Sequence, residues 1–419
     1  MISPNPWLVL PFALLLGAMA IAPLLAPNWW LRHYAKVALG LGAMTLGYYL
    51  LSLHANERVL DTAHEYVSFI ALVGSLFVVS GGIHIVVKGK ATPLANVVFL
   101  LVGAVLANIL GTTGAAMLLI RPWIRVNKHR IRAYHIVFFI FLVANIGGCL
   151  TPIGDPPLFL GYLQGVPFWW VAAHCWPMWL LAVGLLLVAF YVIDQMHFNR
   201  APKKNVEHET WRFDGFFNLF FLAVILGAVF ITKPLFLREG LMLAAALGSY
   251  LATRRHSRHV HENNEFDFHP VKEVVILFAG IFATMMPALD WLGLHAKELL
   301  GANPSPGIFF WGTGSLSAVL DNAPTYLGFL GALHGATGTK EIAELLGQNA
   351  GALSVLAISV GAVFFGAATY IGNGPNFMVK AIADREKIPM PGFLGFIFKF
   401  TLPFLLPTLI TIWLLFFRG

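Results

Sequence analysis

Apolar stretches long enough to cross a membrane recur from one end of this chain to the other, and they leave it few ways to fold. A hydrocarbon core of ~30 Å takes about 20 helical residues, and runs of that order lie at 7–26, 37–53, 176–193 and 393–417. Backbone polar groups in lipid must be satisfied within the segment, so the runs are expected to be helices. With 58% hydrophobic and 11% charged residues among 419, no stretch is left over for a soluble catalytic domain. The chain reads as an all-α integral membrane protein whose partners are the lipid bilayer and small ions. Its formal charge of +7 does not point to nucleic acid, because the basic residues are dispersed through short loops. MISPNPW lacks the positive n-region of a secretory signal, so the first run is expected to be a retained helix. Cys149 and Cys175 lie in or beside apolar runs, where core packing is expected instead of a disulfide.

Lysine and arginine mark cytoplasmic loops, which assigns a side to each connection. Arg32 and Lys36 place the first turn inside, and Lys88 and Lys90 do the same for the end of the third span. RPWIRVNKHRIR at 121–132, with five Arg/Lys and no acid, is inside as well. The apolar stretch between Lys90 and Arg121 therefore starts and ends on one side. It is expected to be a re-entrant hairpin with its tip at 111–114, tolerable only where protein buries it or it lines a cavity. Segment 134–163 then crosses outward through IGDPP, and 176–193 returns to a polar linker. From there the order repeats with the sides exchanged: spans at 216–232, 240–253 and 271–292, a hairpin at 307–335, a crossing at 350–380 and a last span at 393–417.

The repeat is also visible in residues. LTPIGDPPLFL at 150–160 aligns with ATYIGNGPNFM at 368–378, and LGTTGA at 110–115 with LDNAPT at 320–325. The expected architecture is about ten transmembrane helices in two inverted-topology repeats, each with a re-entrant hairpin and a broken helix, a signature of secondary transporters. The repeats are 1–193 and 215–419, joined by a cytoplasmic linker at 194–214.

The chemistry concentrates at those breaks. Gly111, Gly154, Pro156, Pro157, Pro324, Gly372, Gly374 and Pro375 interrupt the helices, freeing backbone groups that can face an ion. Asp155 sits among them, and a carboxylate at membrane depth is costly unless it is paired, hydrated or protonated. The competing expectation is that it only caps the half-helix that follows. Asp321, with Asn322, Pro324 and Thr325, is expected at the tip of the second hairpin, and the same argument applies to it. Thr112, Thr113, Thr151, Asn373 and Asn376 add hydroxyl and amide oxygens, a donor set suited to a hard cation such as Na⁺. Threonine alone would be weak support, since in a membrane helix it commonly bonds its own backbone. A carboxylate in such a place binds a cation or a proton in competition. A site for di- or tricarboxylates should instead avoid bare acids. Asp290 reads as a solvated helix end, Lys399 as snorkelling or paired, and HSRHVHENNEFDFH at 256–269 as a solvated cytoplasmic loop. GNGPNF lacks the third glycine and the βαβ setting of a dinucleotide fingerprint.

At the four breaks the chain resembles the ion transporter superfamily, which includes NhaD-type Na⁺/H⁺ antiporters, arsenite carriers, citrate carriers and divalent anion/sodium symporters. ILGTTGAAMLL looks like the first hairpin motif, IGGCLTPIGDPPLFL like the broken helix with its Gly-x-Pro-Pro-Asn, and LDNAPT and IGNGPN like their inverted partners. The resemblance implies a scaffold and a transport core, Na⁺ held at hairpin tips and broken helices, elevator-like motion and commonly a homodimer. Where dicarboxylate members carry Ser-Asn-Thr, this chain has Leu110-Gly111-Thr112 and Asp321-Asn322-Ala323; Asp155 replaces the serine before Pro-Pro, Leu158 the asparagine after it, and Asn376 is kept. Two acids gained and polar ligands lost favour cation/proton exchange of the NhaD type. The alternative is a Na⁺- or H⁺-coupled symporter of citrate or another organic anion, the activity ascribed to the similar citrate-transporter-like (CitMHS-like) family. No nucleophile, base and metal constellation suggests an enzyme, and no cofactor is expected beyond the transported Na⁺ and H⁺. The expected location is the bacterial cytoplasmic (inner) membrane.

Overall fold

A computed structural model describes residues 3–86, 91–198, 212–231, 233–234, 236–301, 304–339 and 341–418. Lys88, Lys90, Thr232 and most of the 194–214 linker lie outside the described residues. In chain order the elements are α1 (Val9–Leu25), α2 (Pro27–Leu51), α3 (Asn56–Gly81), β1 (His84–Val86), α4 (Pro93–Val126), α5 (Ala133–Leu142), α6 (Pro156–Leu163), α7 (Phe168–Phe198), β2 (Arg212–Asp214) and α8 (Asn218–Ala228). There follow α9 (Leu237–His256), α10 (Arg258–Asn263), α11 (His269–Leu300), α12 (Pro306–Ser317), α13 (Asn322–Thr337), α14 (Ile342–Leu346), α15 (Asn349–Phe365), α16 (Gly374–Arg385) and α17 (Phe393–Phe417). Short 3₁₀ turns, Ile146–Leu150 and Gly366–Ala368, follow α5 and α15. Among the described residues the fold is all-α apart from the antiparallel β1–β2 ribbon, in which Ile85 faces Phe213.

Among the described residues, eight helices are long and apolar enough to cross a membrane. Those at Ala133–Leu150 and Asn349–Ala368 are 89% and 83% buried, so protein and not lipid surrounds them, and they form the interior. Around that interior, α1, α2, α3, α8, α9 and α11 pack mainly on one another, while α12 packs on α15, α4 on α7, and α13 on α6 and α11.

The 34 residues of α4 are not one straight rod. Gly111 adopts φ 73°, ψ 156°, a region only glycine enters without strain, and the helix folds back there. At 1.5 Å per residue a straight helix would hold residues 96 and 127 about 46 Å apart. Instead Asn96 Nδ2 donates to Asn127 Oδ1 at 2.8 Å, and the Phe99 and Trp123 rings lie 5.1 Å apart. The open ends of this helical hairpin are tied to the fully buried Asp194 near the end of α7. Asp194 accepts from Asn96 Nδ2 (3.0 Å), Tyr134 Oη (2.7 Å) and Arg130 Nη2 (2.8 Å).

Three expectations about charged residues need correcting. Arg32 and Lys36 do not lie in a turn, because only Ala26 separates the end of α1 at Leu25 from the start of α2 at Pro27, and both fall on the surface of α2. Asp290 is not a solvated end, because Tyr49 Oη (2.7 Å) and Arg58 Nε (3.2 Å) hold it between α2, α3 and α11. The 256–269 stretch is not a wholly solvated loop. It forms the end of α9, all of α10 and the start of α11, and the His261 ring stacks on Tyr250 and Phe266 with centroids 5.4 and 4.8 Å away. Burial holds that imidazole below its ordinary pKa.

The Gly111 turn yields a direct expectation. In Gly111→Ala the new Cβ would sit 3.3 Å from Ile153 O in a positive-φ conformation that is essentially confined to glycine, costing about 1–3 kcal/mol and lowering the melting temperature in detergent. An unchanged melting curve would mean that the turn does not need glycine.

Candidate functional site

The four interruptions meet at one point. The hairpin tip at Gly111 is joined to the break between α5 and α6 by Thr112 N, which donates to Gly154 O at 2.7 Å. The turn between α12 and α13, and the break between α15 and α16, close on the same place from the other half of the chain. At the centre is Asp155, 1% exposed. Its Oδ1 accepts from Thr112 Oγ1 (2.7 Å) and Asn373 Nδ2 (3.2 Å), and its Oδ2 from Asn322 Nδ2 (2.6 Å). One donor thus comes from each hairpin tip and one from the opposite broken helix.

The two breaks are built alike. Thr151 Oγ1 donates to Asn108 O and Thr369 Oγ1 to Ala318 O, each at 2.6 Å. Asp155 and Asn373 both occupy the N-cap position of the following half-helix, with φ/ψ of −143°/143° and −152°/143°. Neither side chain caps its own helix; both point across the junction instead. Proline at the first turn of α6 and α16 removes a donor that would have no partner there. Gly154 lies so close to Gly148 O that any Cβ would overlap it, and Gly372 meets Gly366 O in the same way.

Of the residues expected at the site, Thr112, Asp155, Asn322 and Asn373 are in direct contact. Asn376 is one step removed: it donates to Gly366 O and Thr369 O and accepts from Asn145. Thr113 lines a cavity of about 20 Å³ between the 111–114 tip and the 152–156 break, with Asp155 in its wall. That volume suits a body about the size of one water molecule. Thr151 turns toward Asn108, and Thr325 Oγ1 bonds back to Asp321 O at 2.9 Å. The Asp321 carboxylate caps α13 by accepting from Ala323 N at 3.1 Å and is not among the hydrogen-bond partners of Asp155.

Two residues at the junction escaped the sequence reading. Asn108 donates to Gly147 O (2.7 Å) and accepts from Leu150 N (2.8 Å), holding the first break in shape. Asn145, fully buried, links the two halves. A lone amide inside the apolar run FLVANIGG was the signal for it, by the same cost argument that singled out Asp155.

What the arrangement can do follows from its charges. Asp155 has three neutral hydrogen-bonding partners, and no lysine or arginine is among them. Asn322 Oδ1 is buried without a hydrogen-bond partner, an acceptor placed beside a carboxylate. Together they fit a hard cation, which takes oxygen ligands. A second, much larger cavity of about 690 Å³ reaches this region; Asp321, Asn373 and Gly374 line one part of it, and Arg121, Glu265 and Arg385 another. There Glu265 bridges Arg121 (3.1 Å) and Arg385 (4.0 Å). Among the described residues no group of three or more His, Cys, Asp or Glu could hold a metal ion.

Comparison with known proteins adds the family. A model described as "Putative citrate transport" matches residues 3–417. The chain belongs to this family. Two uncharacterized transporters, from Mycobacterium bovis and Mycobacterium tuberculosis, are each 25% identical over 329 residues, covering 72% of both chains. This places the chain among citrate-transporter-like, multi-pass membrane carriers, and gives the NhaD-type comparison no support. It is a multi-pass membrane transporter of this family.

Two hydroxyls in this region should respond differently to removal. Thr112→Val takes a donor from a buried carboxylate and is expected to cost about 1–3 kcal/mol. Thr325→Val loses only a bond to its own helix and should stay within about 0.5 kcal/mol of the parent. Thermal unfolding of both variants in detergent tests this, and equal losses would contradict the assigned geometry.

Proposed function

We propose that this carrier works by alternating access, with Asp155 holding a cation and a proton in turn, and that its activity is Na⁺/H⁺ exchange. The observation that carries this reading is a fully buried carboxylate whose hydrogen-bonding partners are all neutral. An isolated buried charge is expensive, and a bound cation or a proton removes the expense. The two cannot share the site, so one expels the other. The unpartnered Asn322 Oδ1 beside Asp155 supports a hard cation.

On this reading residues 1–193 and 215–419 are inverted repeats joined through 194–214, and 93–126 and 306–337 are re-entrant hairpins that enter the membrane from opposite sides. Supporting it, equivalent hydrogen bonds recur at the two breaks, and the equivalent residues Asp155 and Asn373 touch. On the same reading the large cavity, with Arg121 and Arg385 in its wall beside the basic stretch 121–132, would face the cytoplasmic side of a bacterial inner membrane.

The family match favours a second reading: symport of citrate or a similar anion, coupled to the same site. A bare tricarboxylate would meet Asp155 as a like charge. Citrate complexed with a metal ion avoids that conflict.

Purified protein in proteoliposomes separates the two. A Na⁺ jump is expected to move protons without any organic anion, Asp155→Asn should reduce the flux to background, and Asp321→Asn should slow it. Proton movement that waits for citrate would replace exchange by symport. A wild-type rate in Asp155→Asn would remove that residue from the mechanism.

A further inference from the structure

The side-chain amides at the junction are not free to choose which end faces which neighbour. Asn376 Nδ2 donates to two backbone carbonyls, Gly366 O (2.8 Å) and Thr369 O (2.9 Å), so its oxygen must face Asn145. Asn145 Nδ2 meets that oxygen at 2.6 Å and Ile140 O at 2.8 Å. Both of these accept only, which commits the Asn145 oxygen to the other side. There it accepts from Asn373 Nδ2 at 3.2 Å. The polarity of Asn373 is therefore set by a chain of bonds that starts at backbone carbonyls and contains no adjustable step.

The nitrogen of Asn373 carries two hydrogens and faces three acceptors: Ala144 O (3.3 Å), Asn145 Oδ1 (3.2 Å) and Asp155 Oδ1 (3.2 Å). All three bonds are longer than the usual ~2.9–3.0 Å, as expected when two hydrogens are shared among three oxygens. With the nitrogen so placed, the oxygen is the end left to the large cavity that Asn373 helps to line. Asp321 lines the same cavity.

The geometry points to Asn145 as a positioning residue for the cation. By holding the Asn373 amide with its nitrogen on Asp155, it presents Asn373 Oδ1 to an ion arriving through the cavity. Asn145 itself need not touch the ion, so it acts only through Asn373. This inference rests on the cation-binding reading of Asp155 and adds a residue that neither hairpin tip nor broken half-helix contains. It also makes cation affinity depend on contact between the two halves of the chain, because Asn145 belongs to the first and Asn373 and Asn376 to the second.

Thermal stabilisation of the detergent-purified protein by added Na⁺ reports binding without requiring transport. The midpoint Na⁺ concentration for Asn145→Ala is expected to rise about fivefold, the scale of one lost hydrogen bond between neutral groups. In the double variant Asn145→Ala with Asn373→Ala, the midpoint should be no worse than in Asn373→Ala alone. A structural role would instead lower the melting temperature with an unchanged midpoint, or give additive losses, and either would overturn the inference. If Asn145→Ala fails to fold, Asn145→Ser is measured in the same way. A wild-type protein that no alkali cation stabilises would overturn the underlying site reading and this inference with it. A wild-type response that Asn145→Ala leaves unchanged would overturn this inference alone.

Discussion

A single carboxylate buried where four helices are interrupted sets the terms for the rest of the fold. Asp155 cannot be left bare at that depth, and the chain surrounds it with hydrogen-bond donors drawn from both halves. Delivering those donors requires helices that are interrupted beside Asp155. Gly111, the Gly154-Pro156-Pro157 cluster and the Gly372-Pro375 cluster supply the stops, and the open ends of the first hairpin are anchored far from the site by Asp194. The two acids thus differ in kind. Asp194 is matched by a guanidinium and two neutral donors and serves to hold structure, whereas Asp155 has no cationic partner among the described residues.

That difference bears on what is carried. Membership of a citrate-transport family directs attention to organic anions, while the junction itself offers an acid, amides and hydroxyls. The two are reconciled if the cation at Asp155 is the coupling ion and the cargo is chosen elsewhere, or if the cargo arrives already neutralised by a metal. In each case the proposed cation at Asp155 is common to both readings, and the identity of the anion is a separate question.

Much of this was legible in the sequence because glycine and proline act locally. IGDPP and IGNGPN announce their breaks without reference to the rest of the chain, and apolar runs announce helices in the same way. Thr112, Asn322 and Asn373 were legible as polar residues at the breaks, while their meeting at Asp155 is what the structure adds. What was not legible depends on partners distant in sequence. Asp290 looked like a solvated end because its partner Tyr49 lies 241 positions away. Asp321 looked equivalent in importance to Asp155, yet the alignment pairs Asp321 with Gly111 and Asp155 with Asn373, so the repeat never promised two like acids in contact. Asn145 was passed over because amides attract less notice than charges, although burying an unsatisfied amide is also costly.

The claim that cation and proton compete for Asp155 is tested most directly by counting protons released when Na⁺ binds to purified protein in weakly buffered detergent solution with a pH dye. The account predicts release of close to one proton per cation bound in the wild type and none in Asp155→Asn. Cation binding without proton release, or equal release from the variant, would contradict it.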